Sequence, residues 1–330
     1  MIKDSSAGQS QQDKIKALTD TLKDGVLALR SSDEYIRYLK FQSKFTNYSF
    51  RNCLLILSQK EDATMVMGYK AWQQKGIERN VKKGETAIQI LAPCPYDKKV
   101  KEKVFDENGN PVLDASGNQI KEEKQVKAMG FKVTYVFDVS QTEGKELPEI
   151  AHRLTGNVKD YDEIMDIVRA VSPVPIYIEE IESAANGYYS LSDKKIVIDK
   201  NLDEKHKVHT AFHELGHAYL HTQGLDEEKT RAEKEVEAES ISFILLNHAL
   251  GDEITEEEAG QYSFGYLSSF SSDDGLPEFE KMLSTIQKAS KDLIDMYDNE
   301  YMSRHINIEE THSIDIADSK ISRNVKSRKM

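Results

Sequence analysis

Apolar residues recur every three or four positions near the start of the chain, the spacing of one face of an α-helix. The first such series consists of Ile15, Leu18, Leu22, Val26 and Leu29. This series predicts a helix from about residue 11 to residue 30. A second helix is predicted from Ser32 to Phe41. A third is predicted from Phe50, because Ser49 just before it can accept a backbone N–H of the first turn.

The pattern then changes to short apolar runs separated by turn residues, which is typical of β-strands. A strand is predicted near residue 65, followed by a short helix that ends at Gly76 and a basic turn at Lys82-Lys83-Gly84. Strands are predicted at 86–92 and 129–138. The polar stretch between them, residues 95–128, is predicted to form a long exposed hairpin.

The second half of the chain alternates between the two patterns. A helix is predicted at about 158–171 and a strand at 176–181, and two β-rich runs around a polar turn predict a hairpin over Gly187–Asp199. Helical spacing returns around residues 208–219 and again over Arg231–Leu246. A long amphipathic helix is predicted from Pro277 to about Tyr301. Together these elements predict an α+β fold.

The length of 330 residues predicts two domains. The first is predicted at residues 11–145 and the second at 158–304, joined by a linker at 146–157 that contains proline and glycine. Residues 1–10 and 305–330 are polar, and we expect a disordered N-terminus and a flexible C-terminal tail.

Composition predicts a soluble protein of the cytoplasm. Hydrophobic residues make up 38% of the chain and charged residues 31%, and no apolar run approaches the length of a membrane span. No signal peptide is visible, and two cysteines are too few for a disulfide framework. We therefore expect a cytoplasmic location and no membrane partner.

The net charge of −13 is unevenly distributed along the sequence. Residues 1–150 contain 24 Lys and Arg against 21 Asp and Glu, whereas residues 151–330 contain 20 against 36. Attraction between basic side chains and phosphates drives most nucleic-acid affinity, so the acidic second half is a poor candidate for nucleic-acid binding. The mildly basic first half leaves room for a nucleic-acid partner.

The sequence His213-Glu214-Leu-Gly-His217 is the strongest chemical signal in the chain. On a helix, residues four apart share a face, so both histidines can bind one divalent ion. Glu214 would then lie beside the open coordination position, where it can take a proton from a metal-bound water. Apolar residues at helical spacing indicate that this helix is packed against a core. The pattern predicts a Zn²⁺ site with Glu214 as general base.

A catalytic zinc ion needs a third protein ligand, and the next predicted helix offers two. Glu235 and Glu239 are four residues apart and share a face, whereas Glu237 points away from both. One carboxylate could bind the metal while the other accepts a hydrogen bond from a ligand histidine. Acidic residues are also favoured in a first helical turn by the helix dipole, so spacing alone leaves both roles open.

The hairpin at Gly187–Asp199 precedes the histidine helix. An edge strand beside that helix could hold an extended peptide through backbone hydrogen bonds. The hairpin is therefore a candidate binding surface for a peptide.

These motifs together resemble the zincin-type metallopeptidase domain of the ImmA/IrrE and ArdC families. The resemblance is carried by Asn186-Gly-Tyr-Tyr, Ile196-Val-Ile, His213-Glu-Leu-Gly-His and Glu235-x-x-Ala-Glu239. It implies a gluzincin-like site in which Glu235 is the third ligand and Glu239 supports a ligand histidine. His221 follows His217 by four positions without the glycine of the metzincin pattern, so we interpret it as a helix-end residue.

The first half resembles the single-stranded-DNA-binding domain of ArdC-type antirestriction proteins over roughly residues 10–140. The matching segments are Asn47-Tyr-Ser-x-x-Asn52, Gly68-Tyr-x-x-Trp72, Gly76, Val81-x-x-Gly84-Glu85 and Ile90-Leu-x-Pro93. The resemblance implies base stacking and phosphate contacts. The candidate DNA-binding residues are Tyr48, Arg51, Asn52, Tyr69, Trp72, Arg79, Lys82 and Lys83. Trp72 and the tyrosines fit a hydrophobic core equally well.

By this resemblance we expect a zinc-dependent metallopeptidase that also binds single-stranded DNA and protects a mobile genetic element from restriction. Two alternatives remain open. In the first, the protein is a non-catalytic single-stranded-DNA-binding protein with a structural or vestigial metal site. In the second, it is a regulatory protease that cleaves a repressor.

Overall fold

The chain divides into two compact units whose boundaries do not follow the sequence. A computed structural model describes residues 10–107, 109–114, 116–147, 161–221, 229–250, 267 and 275–326, with side chains described up to residue 305. Residues 1–23 and 58–144 form unit 1, and residues 24–57 and 145–330 form unit 2. The boundary between residues 23 and 24 falls within helix α1 (Gln11–Ala28).

Unit 1 is built on a three-stranded antiparallel sheet. Its strands are β1 (Val66–Gly68), β3 (Ile88–Lys103) and β4 (Lys121–Asp138), with β4 in the middle. Strands β2 (Arg79–Val81) and β5 (Thr142–Gly144) form a separate antiparallel pair. The short helix α4 (Tyr69–Trp72) packs against β1, β2 and β4.

Strands β3 and β4 form the long hairpin that the sequence predicts. They pair without a break from Ile88 opposite Val136 to Lys103 opposite Lys121. Ile88 and Val136 at the base are buried, whereas the outer part of the hairpin is largely exposed. The predicted strand at 86–92 is therefore only the inner part of β3, which continues into the polar stretch.

Unit 2 surrounds a small mixed sheet with helices. Strand β8 (Lys195–Asp199) pairs in parallel with β6 (Ile176–Glu179) and antiparallel with β7 (Gly187–Ser190), which confirms the predicted hairpin. The helices are α2 (Ser32–Gln42), α3 (Phe50–Gln59), α5 (Tyr161–Val171), α6 (Glu204–Leu220), α7 (Arg231–Leu250) and α8 (Leu276–Lys326).

Helix α2 packs with unit 2, although the sequence places it in the first predicted domain. The Tyr35 hydroxyl lies 2.8 Å from the Ser240 hydroxyl of α7, and its ring contacts the ring of Phe279 in α8. Tyr35, Ser240 and Phe279 are all buried. A single cut near residue 145 would thus remove α2 from the core that it helps to form.

Helices α6 and α7 approach each other closely at a glycine. A β-carbon on Gly216 would lie 3.1 Å from the Ala238 α-carbon, which is tighter than ordinary van der Waals contact. The small residues let the two backbones pack side by side, and this fixes which side chains of α7 face the histidines of α6.

The segment predicted as a flexible tail is largely helical, and most of the predicted linker lies outside the described residues. Helix α8 continues to Lys326, through most of the segment predicted as a flexible tail at 305–330. The predicted linker at 146–157 lies outside the described residues from position 148 onward, as do residues 1–9 of the predicted disordered N-terminus. No helix in the described part of the chain is long and apolar enough to cross a membrane.

The contact between α2 and α7 predicts that Tyr35→Phe and Tyr38→Phe change the free energy of unfolding differently. Tyr35→Phe removes a buried hydrogen bond and should lower the free energy of unfolding by about 1 kcal/mol. Tyr38→Phe is the matched control, because the buried Tyr38 hydroxyl has no hydrogen-bond partner among the described residues. It should leave stability unchanged or raise it. Urea denaturation of the full chain measures both, and an equal loss in the two variants would contradict the role of Tyr35.

Candidate metal centre

Helix α6 and the residue that follows it carry four histidines in a row. Asp203 caps its N-terminus by accepting the backbone N–H of His206, and His221 follows its last residue. The four histidines, each four positions from the next, are His209, His213, His217 and His221. Neighbouring rings in this row are 6.5, 4.8 and 5.1 Å apart between centroids, so the row is continuous.

Two histidines of this row meet a carboxylate from α7 at one point. The Nε2 atoms of His213 and His217 are 3.1 Å apart. One oxygen of Glu235 lies 3.5 Å from the first nitrogen and 3.6 Å from the second. The three side chains that the sequence nominates as ligands therefore converge in space.

The spacing of these three atoms fits a tetrahedral ion. Ligand atoms 2.0–2.1 Å from a tetrahedral zinc ion are about 3.3–3.4 Å from one another. The observed separations of 3.1, 3.5 and 3.6 Å lie on both sides of that value. Two imidazoles and one carboxylate are also the donor set of many catalytic zinc sites. The residues present could thus hold such an ion without rearrangement of the backbone.

Glu239 lies one turn further along α7 and contacts the second ring nitrogen of His213, the one that faces away from the ion position. One of its oxygens is 2.8 Å from Nδ1 of His213, so it can accept a hydrogen bond from that nitrogen. Glu239 is thus placed to orient His213 while Glu235 faces the ion position. The assignment of Glu235 as the ligand and Glu239 as its support stays a prediction, which this geometry permits.

The pKa shifts of His213, Glu235 and Glu239 favour a cation at this position. Burial disfavours a charged His213, but hydrogen bonds to Glu235 and Glu239 outweigh it and raise its pKa to about 10. Burial also acts against the charged form of Glu239, yet His209 and His213 lower its pKa to about 2. Hydrogen bonds with His213 and His217 lower the pKa of Glu235 as well. Metal binding at this position would compete with protonation of His213.

Glu214 is buried beside the two histidines. Burial raises its pKa, whereas charge on His213 and His217 and a hydrogen bond from the Tyr189 N–H act in the opposite direction. Tyr189 belongs to β7, and Gly187 of the same strand permits the approach. A β-carbon on Gly187 would lie 2.5 Å from the Thr210 methyl group and 2.9 Å from the Val197 carbonyl oxygen.

A cleft of about 590 Å³ opens over these groups. Residues 185–189 line one side of it, and side chains of α6 and α7 line the other. Within the described residues, β7 pairs on one side only, with β8. An extended chain could therefore add to the free edge of β7 directly beside the candidate metal position.

The sequence interpretation did not single out His209, and it gave no role in the site to His221 or Glu237. His209 has its Nε2 atom 3.7 Å from Glu239, His221 lies 2.9 Å from His217, and Glu237 lies 3.0 Å from His221. Glu237 does point away from Glu235 and Glu239, as predicted, but its carboxylate contacts His221 at the C-terminal end of α6. The four-residue spacing of all four histidines was the signal that could have drawn attention to this row.

The candidate DNA-binding residues of unit 1 differ in accessibility. Trp72 is fully buried and its indole N–H donates to the Phe137 carbonyl at 3.0 Å, so the expectation that it stacks on bases is wrong. Arg79 donates to the Thr142 hydroxyl at 2.7 Å within the β2–β5 pair. Tyr69, Lys82 and Lys83 are exposed.

The other three candidates belong to unit 2. Tyr48 is half-buried and its ring meets the edge of Phe45. Arg51 forms an ion pair with Glu280 of α8. The backbone N–H of Asn52 donates to the Ser49 hydroxyl, which confirms the predicted cap of α3. The eight candidates are therefore divided between the two units.

Comparisons with known proteins identify relatives of low sequence identity. An uncharacterised protein of Bacillus anthracis is 26% identical over 270 residues, which is 72% of this chain but only 45% of the relative. The metal-free crystal structure of the antirestriction protein ArdC from plasmid R388 is 17% identical, with a TM-score of 0.42, over 77% of this chain and 85% of that one. For the Mn(II)-bound ArdC structure the identity is 17%, the TM-score is 0.36 and the coverage is 80% and 97%.

Two family models match separate parts of the chain. The model for the N-terminal domain of the anti-restriction factor ArdC matches residues 12–137. The model for the IrrE N-terminal-like domain, a peptidase family, matches residues 171–256 and so includes all the candidate metal ligands. With an ArdC-type domain followed by an IrrE-like peptidase domain, the chain is an ArdC-like two-domain protein.

Proposed function

We propose that unit 2 is a zinc-dependent peptidase and that the protein serves an antirestriction function together with single-stranded-DNA binding. The observation that carries the peptidase proposal is the convergence of two imidazole nitrogens and one carboxylate oxygen within 3.6 Å, with Glu214 beside them. The IrrE-like family of residues 171–256 supports the same chemistry.

His213, His217 and Glu235 would hold the metal ion. A bound zinc ion supplies a Lewis acid that polarises a carbonyl group and acidifies water. Imidazole nitrogen and carboxylate oxygen are donors that zinc accepts, and three protein ligands leave one position open for chemistry. Glu239 holds the His213 ring so that its Nε2 lone pair faces the ion position.

Glu214 would act as general base. Its buried carboxylate takes a proton from the attacking water and returns it to the amine that leaves when the peptide bond breaks. Burial raises the pKa of Glu214 toward the range in which a carboxylate both accepts and releases a proton near neutral pH. The Tyr189 N–H holds the carboxylate in place.

The substrate would bind as an extended peptide along β7. The strand has a free edge within the described residues, and residues 186–189 line the cleft beside the metal position. Backbone pairing to an edge strand gives affinity with little dependence on sequence, so side-chain contacts in the cleft set specificity.

Single-stranded DNA would contact an exposed surface of unit 1. Tyr69 is 40% exposed and lies on α4, which packs against β2, the strand that leads into the Lys82-Lys83 turn. An exposed aromatic ring can stack on a base, and the two exposed lysines can attract phosphates. The ArdC-type family of residues 12–137 supports this half of the proposal.

Metal analysis of paired variants tests the ligand assignment. Glu235→Ala removes a proposed ligand and should abolish retention of zinc through purification, as should His213→Ala and His217→Ala. Glu239→Ala removes a supporting hydrogen bond and should weaken zinc binding about 10–100-fold. Glu180→Ala, which changes an exposed carboxylate paired with Lys200, is the control and should have no effect. A larger loss in Glu239→Ala than in Glu235→Ala would reverse the two roles.

Glu214→Gln separates chemistry from metal binding. The amide keeps the shape of the carboxylate but cannot accept the proton, so peptide hydrolysis should fall about 10²–10⁴-fold. Zinc content and DNA binding should stay at the wild-type level. The readout is a comparison of all cell proteins after expression of the wild type and of Glu214→Gln.

The same pair of strains distinguishes the alternatives. If Glu214→Gln protects incoming DNA as well as the wild type does, antirestriction needs only DNA binding. Wild-type protein that cleaves nothing would contradict the peptidase proposal and favour a structural metal. Cleavage confined to a transcriptional repressor would favour the regulatory protease instead.

Salt dependence of DNA binding tests the proposed contact in the full chain. Each lysine that neutralises a phosphate contributes about 0.7 to the slope of log affinity against log salt for single strands. Lys82→Ala/Lys83→Ala should therefore reduce the slope by up to about 1.4. The control is Lys98→Ala/Lys99→Ala on the β3–β4 hairpin, which should leave the slope unchanged. An equal reduction in both variants would contradict a contact centred on the Lys82-Lys83 turn.

A further inference from the structure

The two proposed histidine ligands, His213 and His217, have different hydrogen-bond partners at Nδ1, the ring nitrogen that faces away from the metal position. A metal-bound imidazole usually donates its second N–H to a carboxylate, a backbone carbonyl or water, which fixes the orientation of the ring. His213 follows this pattern through Glu239. His217 does not, because its Nδ1 atom lies 2.9 Å from Nδ1 of another histidine, His221.

His221 is the first member of a buried polar series. It follows the last residue of α6 and its side chain is 5% exposed. Its Nε2 atom is 3.0 Å from an oxygen of Glu237, whose side chain is 1% exposed. Both oxygens of Glu237 lie 2.8 Å from the ammonium group of Lys229.

Only one placement of protons satisfies the whole series when His217 binds metal through Nε2. His217 must then carry its proton on Nδ1, and Nδ1–H donates to Nδ1 of His221. His221 consequently carries its own proton on Nε2 and donates it to the Glu237 carboxylate. The Lys229 ammonium group donates to Glu237 and balances its charge. Each contact has one donor and one acceptor with both imidazoles neutral.

We propose that His221 is a positioning residue that holds His217 for metal binding, and that Glu237 and Lys229 fix its tautomer. This inference rests on the proposed metal site. It extends that site beyond its ligands, because α7 then supplies the proposed ligand carboxylate and both supporting carboxylates. Glu235 faces the ion position, Glu239 fixes His213, and Glu237 fixes His217 through His221.

A purely structural role for His221 makes a different prediction. The backbone N–H of His221 donates to the His217 carbonyl at 2.8 Å, as at an ordinary helix end, and the pair of Glu237 and Lys229 can stabilise the fold without any metal. In that case substitution of His221 would lower the melting temperature but leave metal affinity unchanged once the protein is folded.

Competition with a chromophoric chelator measures zinc affinity in three variants of the full chain. His221→Ala should weaken zinc binding about 10–100-fold. His221→Gln should recover most of the loss, because its amide can accept from His217 and donate to Glu237. His206→Ala is the control, since His206 is exposed on the same helix and contacts Asp203. Thermal unfolding by circular dichroism verifies that each variant is folded under the conditions of the titration.

NMR supplies a readout that does not depend on activity. Long-range proton–nitrogen correlations should place the His221 proton on Nε2 and leave Nδ1 unprotonated in the zinc-loaded wild-type protein. The opposite tautomer, or equal zinc affinity of folded His221→Ala and wild type, would overturn the positioning role and leave the metal site intact. Wild-type protein that binds no zinc would overturn the metal site, and the positioning role with it.

Discussion

The close contact between α6 and α7 is the constraint on which the site depends. Gly216 and Ala238 bring the two backbones together, and the proposed ligands lie on these two helices, His213 and His217 on one and Glu235 on the other. A larger residue at Gly216 would force the helices apart and lengthen all distances across the crossing together. The convergence of His213, His217 and Glu235 is thus a property of backbone packing more than of side-chain choice.

Charge explains why so many acidic groups can lie close together here. Glu214, Glu235, Glu237 and Glu239 surround one row of histidines, and in the absence of metal the pKa of His213 is raised to about 10 through its contacts with Glu235 and Glu239. The acidic groups around His213 therefore favour a cation at this position, either a proton or a metal ion.

Local pattern predicted the parts of the structure that depend on neighbours in sequence. The spacing of His213 and His217, the Gly187–Asp199 hairpin and the Ser49 cap all follow from periodicity or capping. Spacing could not decide between Glu235 and Glu239, because both lie on the same face of α7 and only the crossing with α6 separates them. Trp72 fits a core and a stacking surface equally well in sequence, and its contact with Phe137 is long-range. The partners of His221 and Tyr35 likewise come from distant segments.

The packing of residues 24–57 into unit 2 bears on how such proteins can recombine. The ArdC-type match ends at residue 137, so sequence comparison places the natural junction near there. A gene exchanged at that junction would pair the α2 of one parent with the α7 of another, and the Tyr35–Ser240 hydrogen bond would be kept only where both residues are present. A crossover that carries residues 24–57 along with the IrrE-like half would keep this contact whatever the parents.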